Sequence, residues 1–220
     1  MMKFLSYNLS KSAPGYGPVK QKIDLKAVRS LLKGDSCQIY KLSFQNHWGT
    51  HIDCPAHFFE SGKNVTDYEA DFWFFRHPQV ISVKAEPGGM ISKLDFPIAI
   101  DREADLLILK SGWSKFRQRK IYSLKNPGIA PEVGVWLRRE YPKLRAIGFD
   151  WISLSSYAHR ELGRDAHKAF LNPKAQGSPI TIIENMYLPK DLKNLKEVWV
   201  APLRVEGIDS APCTVIGVFA

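Results

Sequence analysis

The chain has 220 residues, of which 45% are hydrophobic and 12% aromatic, a composition that can build a sizeable core and that excludes global disorder. No apolar run approaches the roughly 20 residues that span a bilayer, so no membrane segment is expected. The formal net charge of +9 reflects 31 basic and 22 acidic residues, and it is compatible with acidic partners without indicating a fold.

The N-terminal segment and the cysteines predict a cytoplasmic protein. Residues 1–18 contain no continuous apolar stretch after a basic start, so no cleaved signal peptide is expected. Cys37, Cys54 and Cys213 are odd in number and widely spaced, which argues against a disulfide framework and fits a reducing compartment.

Short strand-like and helix-like segments alternate along the chain. Tyr40, Leu42 and Phe44 alternate with polar residues, which is typical of a half-buried strand. Further strands are predicted at apolar runs over residues 80–83, 106–109, 146–149, 180–183, 198–201 and 215–219. Helices are predicted over residues 24–32, 131–141 and 160–171. With no repeat and no long linker, the pattern predicts one α/β domain over residues 1–220, a mixed sheet of many short strands packed with a few helices.

One short segment, residues 46–57, concentrates side chains that bind metals. It contains His47, His51 and His57, which are three of the six histidines, together with Asp53. If the strand from Tyr40 continued through this segment, positions 47, 51 and 53 would point to one face, because strand side chains alternate. A lone histidine in a strand is usually a hydrogen-bonded core or surface residue. Three histidines and an aspartate within one short stretch instead favour a site for an ion such as zinc or manganese.

This segment resembles the signature His-x-Gly-Thr-His-x-Asp-x-Pro-x-His of the cyclase-like metal hydrolases, a family that includes bacterial kynurenine formamidase and isatin hydrolase. The resemblance extends over most of the chain. The family's opening, Asp-Leu-Ser, is similar to residues 8–10 with Asn8 in place of the aspartate. Further similar stretches are Leu-Lys-Ser-Gly-Trp at 109–113, Asp-Ala-His at 165–167, Ile-Ile-Glu-Asn at 182–185, and Gly-Ile-Asp-Ser-Ala-Pro at 207–212.

The resemblance implies the swivelling β/β/α fold and a site for one or two divalent ions, zinc or manganese. Its implied ligands are histidines and carboxylates: His47, His51, Asp53, His167 and Glu184. Asp53 and Glu184 would bridge the two ions, and His57 would be the catalytic acid/base. His159, eight residues before His167, is an alternative downstream ligand, although the Asp-Ala that precedes His167 favours His167.

The implied activity is hydrolysis of a C–N bond in a small amide, aryl formamide or lactam, carried out by a homodimer or homotetramer. Two alternatives stay open: a metal-dependent cyclase or dehydratase with the same ligands, and a basic binding module whose histidine cluster is structural. The chain shows no phosphate-binding loop and no nucleic-acid module, so a nucleic-acid partner is not expected. Cys54 is expected to be a buried, inert thiol, and the aromatic residues 72–75 are expected in the core or in an interface.

Overall fold

The structure is a computed structural model that describes residues 1–18 and 23–220. The strands of this part of the chain are β1 (Met2–Phe4), β2 (Asp24–Arg29), β3 (Ile39–Ser43), β4 (His51–Asp53), β5 (Phe74–Phe75), β6 (Pro78–Ser82), β7 (Met90–Ile91), β8 (Leu106–Lys110), β9 (Gly128–Ile129), β10 (Ala146–Phe149), β11 (Thr181–Glu184), β12 (Leu195–Pro202) and β13 (Ser210–Phe219). The α-helices are α1 (Lys120–Leu124), α2 (Pro131–Glu140) and α3 (Arg160–Leu171).

A nine-stranded mixed sheet dominates the described residues, in the order β5-β12-β13-β4-β11-β10-β8-β6, with β1 paired to β13. The neighbours β6, β8, β10 and β11 run parallel, whereas β4 is antiparallel to both β11 and β13. The short strand β4 therefore joins the parallel half of the sheet to the antiparallel half. In open α/β sheets, ligands bind beyond the carboxyl ends of the parallel strands, at the point where the strand order changes. Strand β11 ends beside β4, so a ligand site is expected at this junction.

The sheet is covered on both faces, which explains its continuous apolar strands. In β8, Leu107 and Leu109 face one core together with residues of α2 and α3, whereas Leu106 and Ile108 face a second core built with β12 and β13. Helix α2 lies within its predicted range, and helix α3 spans its predicted residues. The predicted mixed α/β architecture is confirmed.

The predicted helix over residues 24–32 is wrong. Asp24–Arg29 is strand β2, which pairs antiparallel with β3, and a 3₁₀ turn follows at Leu31–Lys33. Leu25 and Ala27 alternate with charged residues, and cross-strand pairing with Leu42 and Tyr40 selects this period-2 pattern over a helix.

The strand that contains Tyr40 does not continue to Asp53, so the condition for placing positions 47, 51 and 53 on one strand face is not met. Strand β3 ends at Ser43, and β4 begins only at His51. Between them the chain leaves the ladder and buries Trp48 against Ala13, Ile23 and Phe44. The β2–β3 ribbon is exposed on both faces rather than half-buried. His47 consequently reaches the site from a loop and not from the strand face shared by His51 and Asp53.

Among the described residues, no helix is long and apolar enough to cross a membrane.

Candidate metal centre

The register around β4 places three potential ligands on one face of the sheet. His51 lies directly opposite Glu184 of β11, and Asp53 lies two positions along the same strand. Side chains two apart share a face, and cross-strand partners do as well. All three side chains are buried, with His51 Nε2 3.3 Å from Glu184 Oε2 and 3.6 Å from Asp53 Oδ1.

Backbone carbonyls orient two of the histidine rings. Nδ1 of His51 lies 3.0 Å from the carbonyl oxygen of Gly49, and Nδ1 of His167 lies 2.8 Å from that of Gly163. A carbonyl oxygen only accepts, so each Nδ1 is the protonated nitrogen that donates and each Nε2 faces the carboxylates. For His167 these are Asp53 Oδ2 at 3.7 Å and Glu184 Oε1 at 3.5 Å. Fixing the distal nitrogen in this way is how proteins orient histidine ligands to metals.

A glycine lets α3 come close enough to deliver His167. A Cβ at Gly163 would overlap Oγ and Cβ of Ser155, which lies on the loop after β10. Without a side chain at this position, the first turns of α3 pack directly on that loop. His167, one turn further along, thereby reaches the end of β11.

A second cluster forms around Asp209, which precedes β13. Its Oδ2 accepts a hydrogen bond from Nδ1 of His57 at 2.7 Å and lies 3.4 Å from Nε2 of His47. Its Oδ1 accepts from Nδ2 of Asn46 at 3.0 Å. Nδ1 of His47 lies 3.0 Å from Asp53 Oδ1, so His47 stands between the two carboxylates.

Two groups of potential ligand atoms share Asp53. One joins His47, Asp53 and His57, and the other joins His51, Asp53 and Glu184, with the atoms of each group within 4.8 Å of one another. His51 Nε2 and Asp53 Oδ1 are fully buried, and neither makes a hydrogen bond of good geometry among the described residues, although His47 Nδ1 lies 3.0 Å from Asp53 Oδ1. Buried polar atoms are normally satisfied, so these two atoms suit a ligand that accepts electron pairs.

The buried carboxylates favour positive charge in the cluster. Burial opposes protonation of His47, but Asp53 and Asp209 outweigh it and raise the pKa of His47 to about 10. Burial likewise opposes protonation of His167, but the nearby carboxylates of Asp53 and Glu184 outweigh it and raise the pKa of His167 to about 9. Burial opposes ionisation of Asp53, yet His47 and His51 hold the pKa of this carboxyl well below its usual value.

Hydrogen bonds from the loop after β10 fix the Glu184 carboxylate. The backbone N–H of Leu154 donates to Oε1 at 2.6 Å, and the hydroxyl of Ser153 donates to the same oxygen at 3.2 Å. The other oxygen, Oε2, faces His51. One carboxylate oxygen is therefore held by the protein while the second points into the cluster.

The two groups border a cavity of about 210 Å³. Phe58 forms one wall, where its ring stacks on His167 with centroids 5.0 Å apart and planes 23° apart. The remaining lining residues outside the two clusters come from three loops and the end of β11: Pro14, Tyr16, Gly49, Ile152, Ser153, Ser155, Asn185.

The structure brings the six candidate site residues to this one cavity: His47, His51, Asp53, His57, His167 and Glu184. The alternative ligand His159 lies outside it, exposed at the start of α3. Cys54 is fully buried on the opposite face of the sheet, and burial raises the pKa of its thiol, as expected of an inert cysteine.

Sequence reasoning missed Asp209, Tyr16 and Asn185 as members of the site. Asp209 lies in the Gly-Ile-Asp stretch at 207–209, which resembles the family, but the resemblance assigned this residue no role. Asn185 follows Glu184 and has a φ of 58°, a left-handed conformation that asparagine tolerates better than most residues. Its Oδ1 accepts a hydrogen bond from the buried Tyr122 hydroxyl at 2.7 Å. No local pattern indicated that Tyr16 would reach the cavity.

Comparison with known proteins identifies the family to which this chain belongs. The Cyclase family model ("Putative cyclase") matches residues 4–156, which is more than half of the chain. A kynurenine formamidase of Erythrobacter litoralis is 26% identical over 185 residues, covering 84% of this chain and 78% of the relative.

Solved structures share the fold at low sequence identity. "The Structure Of Potential Metal-Dependent Hydrolase With Cyclase Activity" superposes with a TM-score of 0.76 at 19% identity, covering 99% of this chain and 96% of the other. Isatin hydrolase A from Labrenzia aggregata, bound to benzyl benzoate, superposes with a TM-score of 0.73 at 17% identity, covering 99% and 93%. The predictions of the family, of its fold and of an enzyme are confirmed, and the chain belongs to the cyclase family.

Proposed function

We propose that this chain is a metal-dependent amidohydrolase that uses water to cleave a C–N bond of a small amide, aryl formamide or lactam. The products are a carboxylic acid and an amine, which stay within one molecule when the substrate is a lactam. The observation that carries the proposal is the pair of ligand groups sharing Asp53, with His51 Nε2 and Asp53 Oδ1 buried and without a hydrogen bond of good geometry among the described residues. The kynurenine formamidase relative and the isatin hydrolase neighbour support the reaction class.

The residues present fit one or two divalent ions such as zinc or manganese. Imidazole nitrogens and carboxylate oxygens are ligands that both ions accept. We assign five ligands: His47, His51, Asp53, His167 and Glu184. When bound, a divalent ion in such a site lowers the pKa of water and polarises a carbonyl oxygen.

His57 is the proposed proton carrier. Its Nδ1 is committed to Asp209 at 2.7 Å, so Nε2 is the nitrogen that is free to take up or deliver a proton in the cavity. A carboxylate that holds one imidazole nitrogen also stabilises the protonated ring, as in other histidine–aspartate pairs. The leaving nitrogen of an amide needs a proton, and His57 supplies it.

The cavity favours a small neutral substrate. Its volume of about 210 Å³ lies below the 300–1,000 Å³ of ordinary ligand pockets. Among the described residues, neither lysine nor arginine lines it, so no side chain of these two types is available to bind a substrate carboxylate. The Phe58 ring offers an apolar surface to a flat ligand.

The proposal includes a cytoplasmic homodimer or homotetramer, in which the exposed β2–β3 ribbon contacts a second copy. A two-stranded ribbon is marginally stable by itself. Leu25, Tyr40 and Leu42 on one face of this ribbon are 41%, 47% and 55% exposed. Leu42 also borders an apolar groove of about 880 Å³ lined by Phe4 and Leu9, which extends the surface available to the second copy.

A substrate panel tests the reaction. Purified protein loaded with zinc or manganese is assayed on N-formyl arylamines, isatin and simple lactams, with chelator-treated protein as the control. Hydrolysis of at least one compound that disappears on chelation and returns with metal is the expected result. The same panel followed by mass spectrometry detects loss of water from a substrate, the outcome that favours the cyclase or dehydratase alternative suggested by the family's description.

A further inference from the structure

The cavity contains a third buried polar atom without a hydrogen-bond partner among the described residues. Besides His51 Nε2 and Asp53 Oδ1, it is the hydroxyl oxygen of Tyr16. The proposed metal ions account for the first two atoms. A buried hydroxyl without a partner destabilises a folded chain, so its presence beside the ligands calls for another explanation.

The fold holds the Tyr16 ring in place without using its hydroxyl. The ring packs edge-on against Tyr157, with centroids 5.6 Å apart and planes at 75°. The next residue, Gly17, donates its N–H to the carbonyl oxygen of Ser123 at 3.1 Å. Gly17 has a φ of +72°, and a Cβ there would come within 2.7 Å of the Tyr157 ring. A phenylalanine at position 16 would satisfy all of these contacts.

The hydroxyl is suited to donate and not to react. Burial raises the pKa of Tyr16 to about 12, and the negative charge of Glu184 acts in the same direction. The group therefore keeps its proton at neutral pH. Across the cavity, Asp53 and Glu184 are carboxylates, which as ligands present acceptors only, so Tyr16 adds a donor that they cannot supply.

We propose that the Tyr16 hydroxyl determines substrate specificity by donating a hydrogen bond to an acceptor oxygen of the bound substrate. This inference rests on the proposed amidohydrolase function and adds a residue to it. A site built to hydrogen-bond one substrate atom discriminates against analogues that lack that atom, because its own buried group is then left unpaired. The hydroxyl is unpaired in the free enzyme, and the bound substrate would give it a partner.

The test compares Tyr16→Phe with Tyr157→Phe in the metal-loaded protein. The second variant removes a hydroxyl from the neighbouring ring, which does not line the cavity.

In Tyr16→Phe we expect kcat/KM on the best panel substrate to fall by about 10- to 100-fold, the effect of losing one buried hydrogen bond. Calorimetry with isatin, if isatin is bound by the wild type, should show a matching loss of affinity. Metal content should be unchanged, and the thermal midpoint without substrate should be equal or higher. Tyr157→Phe should match the wild type in kcat/KM and in metal content.

Three results would overturn the inference. Wild-type kcat/KM in Tyr16→Phe would mean that the hydroxyl does not touch the substrate. Loss of metal in this variant would make Tyr16 a ligand, and a thermal midpoint several degrees lower would reveal a structural partner. A metal-loaded wild type that cleaves nothing in the panel is a distinct outcome, because it refutes the proposed function and with it the inference.

Discussion

His57 and Asp209 are 152 positions apart in the chain, yet their side chains form a 2.7 Å hydrogen bond at the edge of the cavity. The same histidine belongs, with His47 and Asp53, to a group of atoms that could hold a metal. Two roles are therefore possible for His57: a proton carrier held by Asp209, or a further metal ligand. The hydrogen bond at Nδ1 leaves Nε2 free in either role, so the effect of substituting His57 decides between them.

Substitution of His57 separates the two roles. In His57→Ala we expect full metal content and a wild-type thermal midpoint, since a proton carrier does not hold the ion. Turnover should fall by about 10²- to 10⁴-fold, the usual contribution of general acid–base catalysis. Metal analysis, melting curves and kcat on the panel substrate check this. Depleted metal, or near-normal turnover, would remove His57 from the proposed catalytic role.

Alanine substitutions at two histidines associated with α3 test the downstream ligand with a matched control. His167 is buried with its Nε2 3.5 Å from Glu184, whereas His159 is exposed outside the cavity. We expect His167→Ala to lose metal and His159→Ala to retain it, as measured by plasma mass spectrometry. Glu184→Ala should behave like His167→Ala if Glu184 is, as proposed, a ligand whose carboxylate balances the charge of the ions. Metal retained in both His167→Ala and Glu184→Ala would place the downstream ligand elsewhere.

The elements differ in how far the sequence predicts them. Helix α3 and strand β10 occupy the predicted residues, because their periodicity and burial are local properties. Strand β2 was mistaken for a helix, since its pairing with β3 is set across a loop and cannot be seen in its own pattern. The motif over residues 47–57 identified most of the site. Asp209 and Asn185 stand in stretches that resemble the family but were given no role, and Tyr16 was missed because only tertiary folding brings it to the cavity.

The close packing of α3 on the loop after β10 predicts that a larger residue at position 163 destabilises the protein. Gly163→Ala inserts a methyl group where Ser155 already stands, so we expect a loss of about 1–3 kcal/mol in the free energy of unfolding. Metal affinity should fall as well, because His167 is oriented by the Gly163 carbonyl. Urea unfolding and metal titration measure both effects.

A surface position on the same helix provides the control. Lys168 is exposed, so Lys168→Ala should change the free energy of unfolding by less than about 0.5 kcal/mol. If Gly163→Ala were as stable as this control, α3 would not depend on close approach to Ser155.

In the molecule as a whole, residues 72–75, expected in the core or in an interface, lie mainly in the core. Trp73 and Phe75 are buried in the core, so residues 72–75 mainly pack within the chain. The β2–β3 ribbon instead presents Leu25, Tyr40 and Leu42 on one face. This distribution locates the proposed contact between copies on the ribbon.

Light scattering checks the proposed assembly. We expect a mass of at least twice the 25.0 kDa of one chain, and Leu42→Asp should shift it toward the monomer. Leu94→Asp is the matched control, because Leu94 is 95% exposed on a separate 3₁₀ turn and its substitution should leave the mass unchanged. A monomer mass for the wild type in dilute solution would refute the homo-oligomer.

The proposed function depends on binding of divalent metal by the cluster around Asp53. Plasma mass spectrometry of protein purified without chelator tests this binding most directly. We expect about one or two zinc or manganese ions per chain in the wild type and a large loss in Asp53→Ala, because both ligand groups contain Asp53. A wild type that stays free of stoichiometric metal, even after incubation with zinc and manganese, would contradict the proposed function.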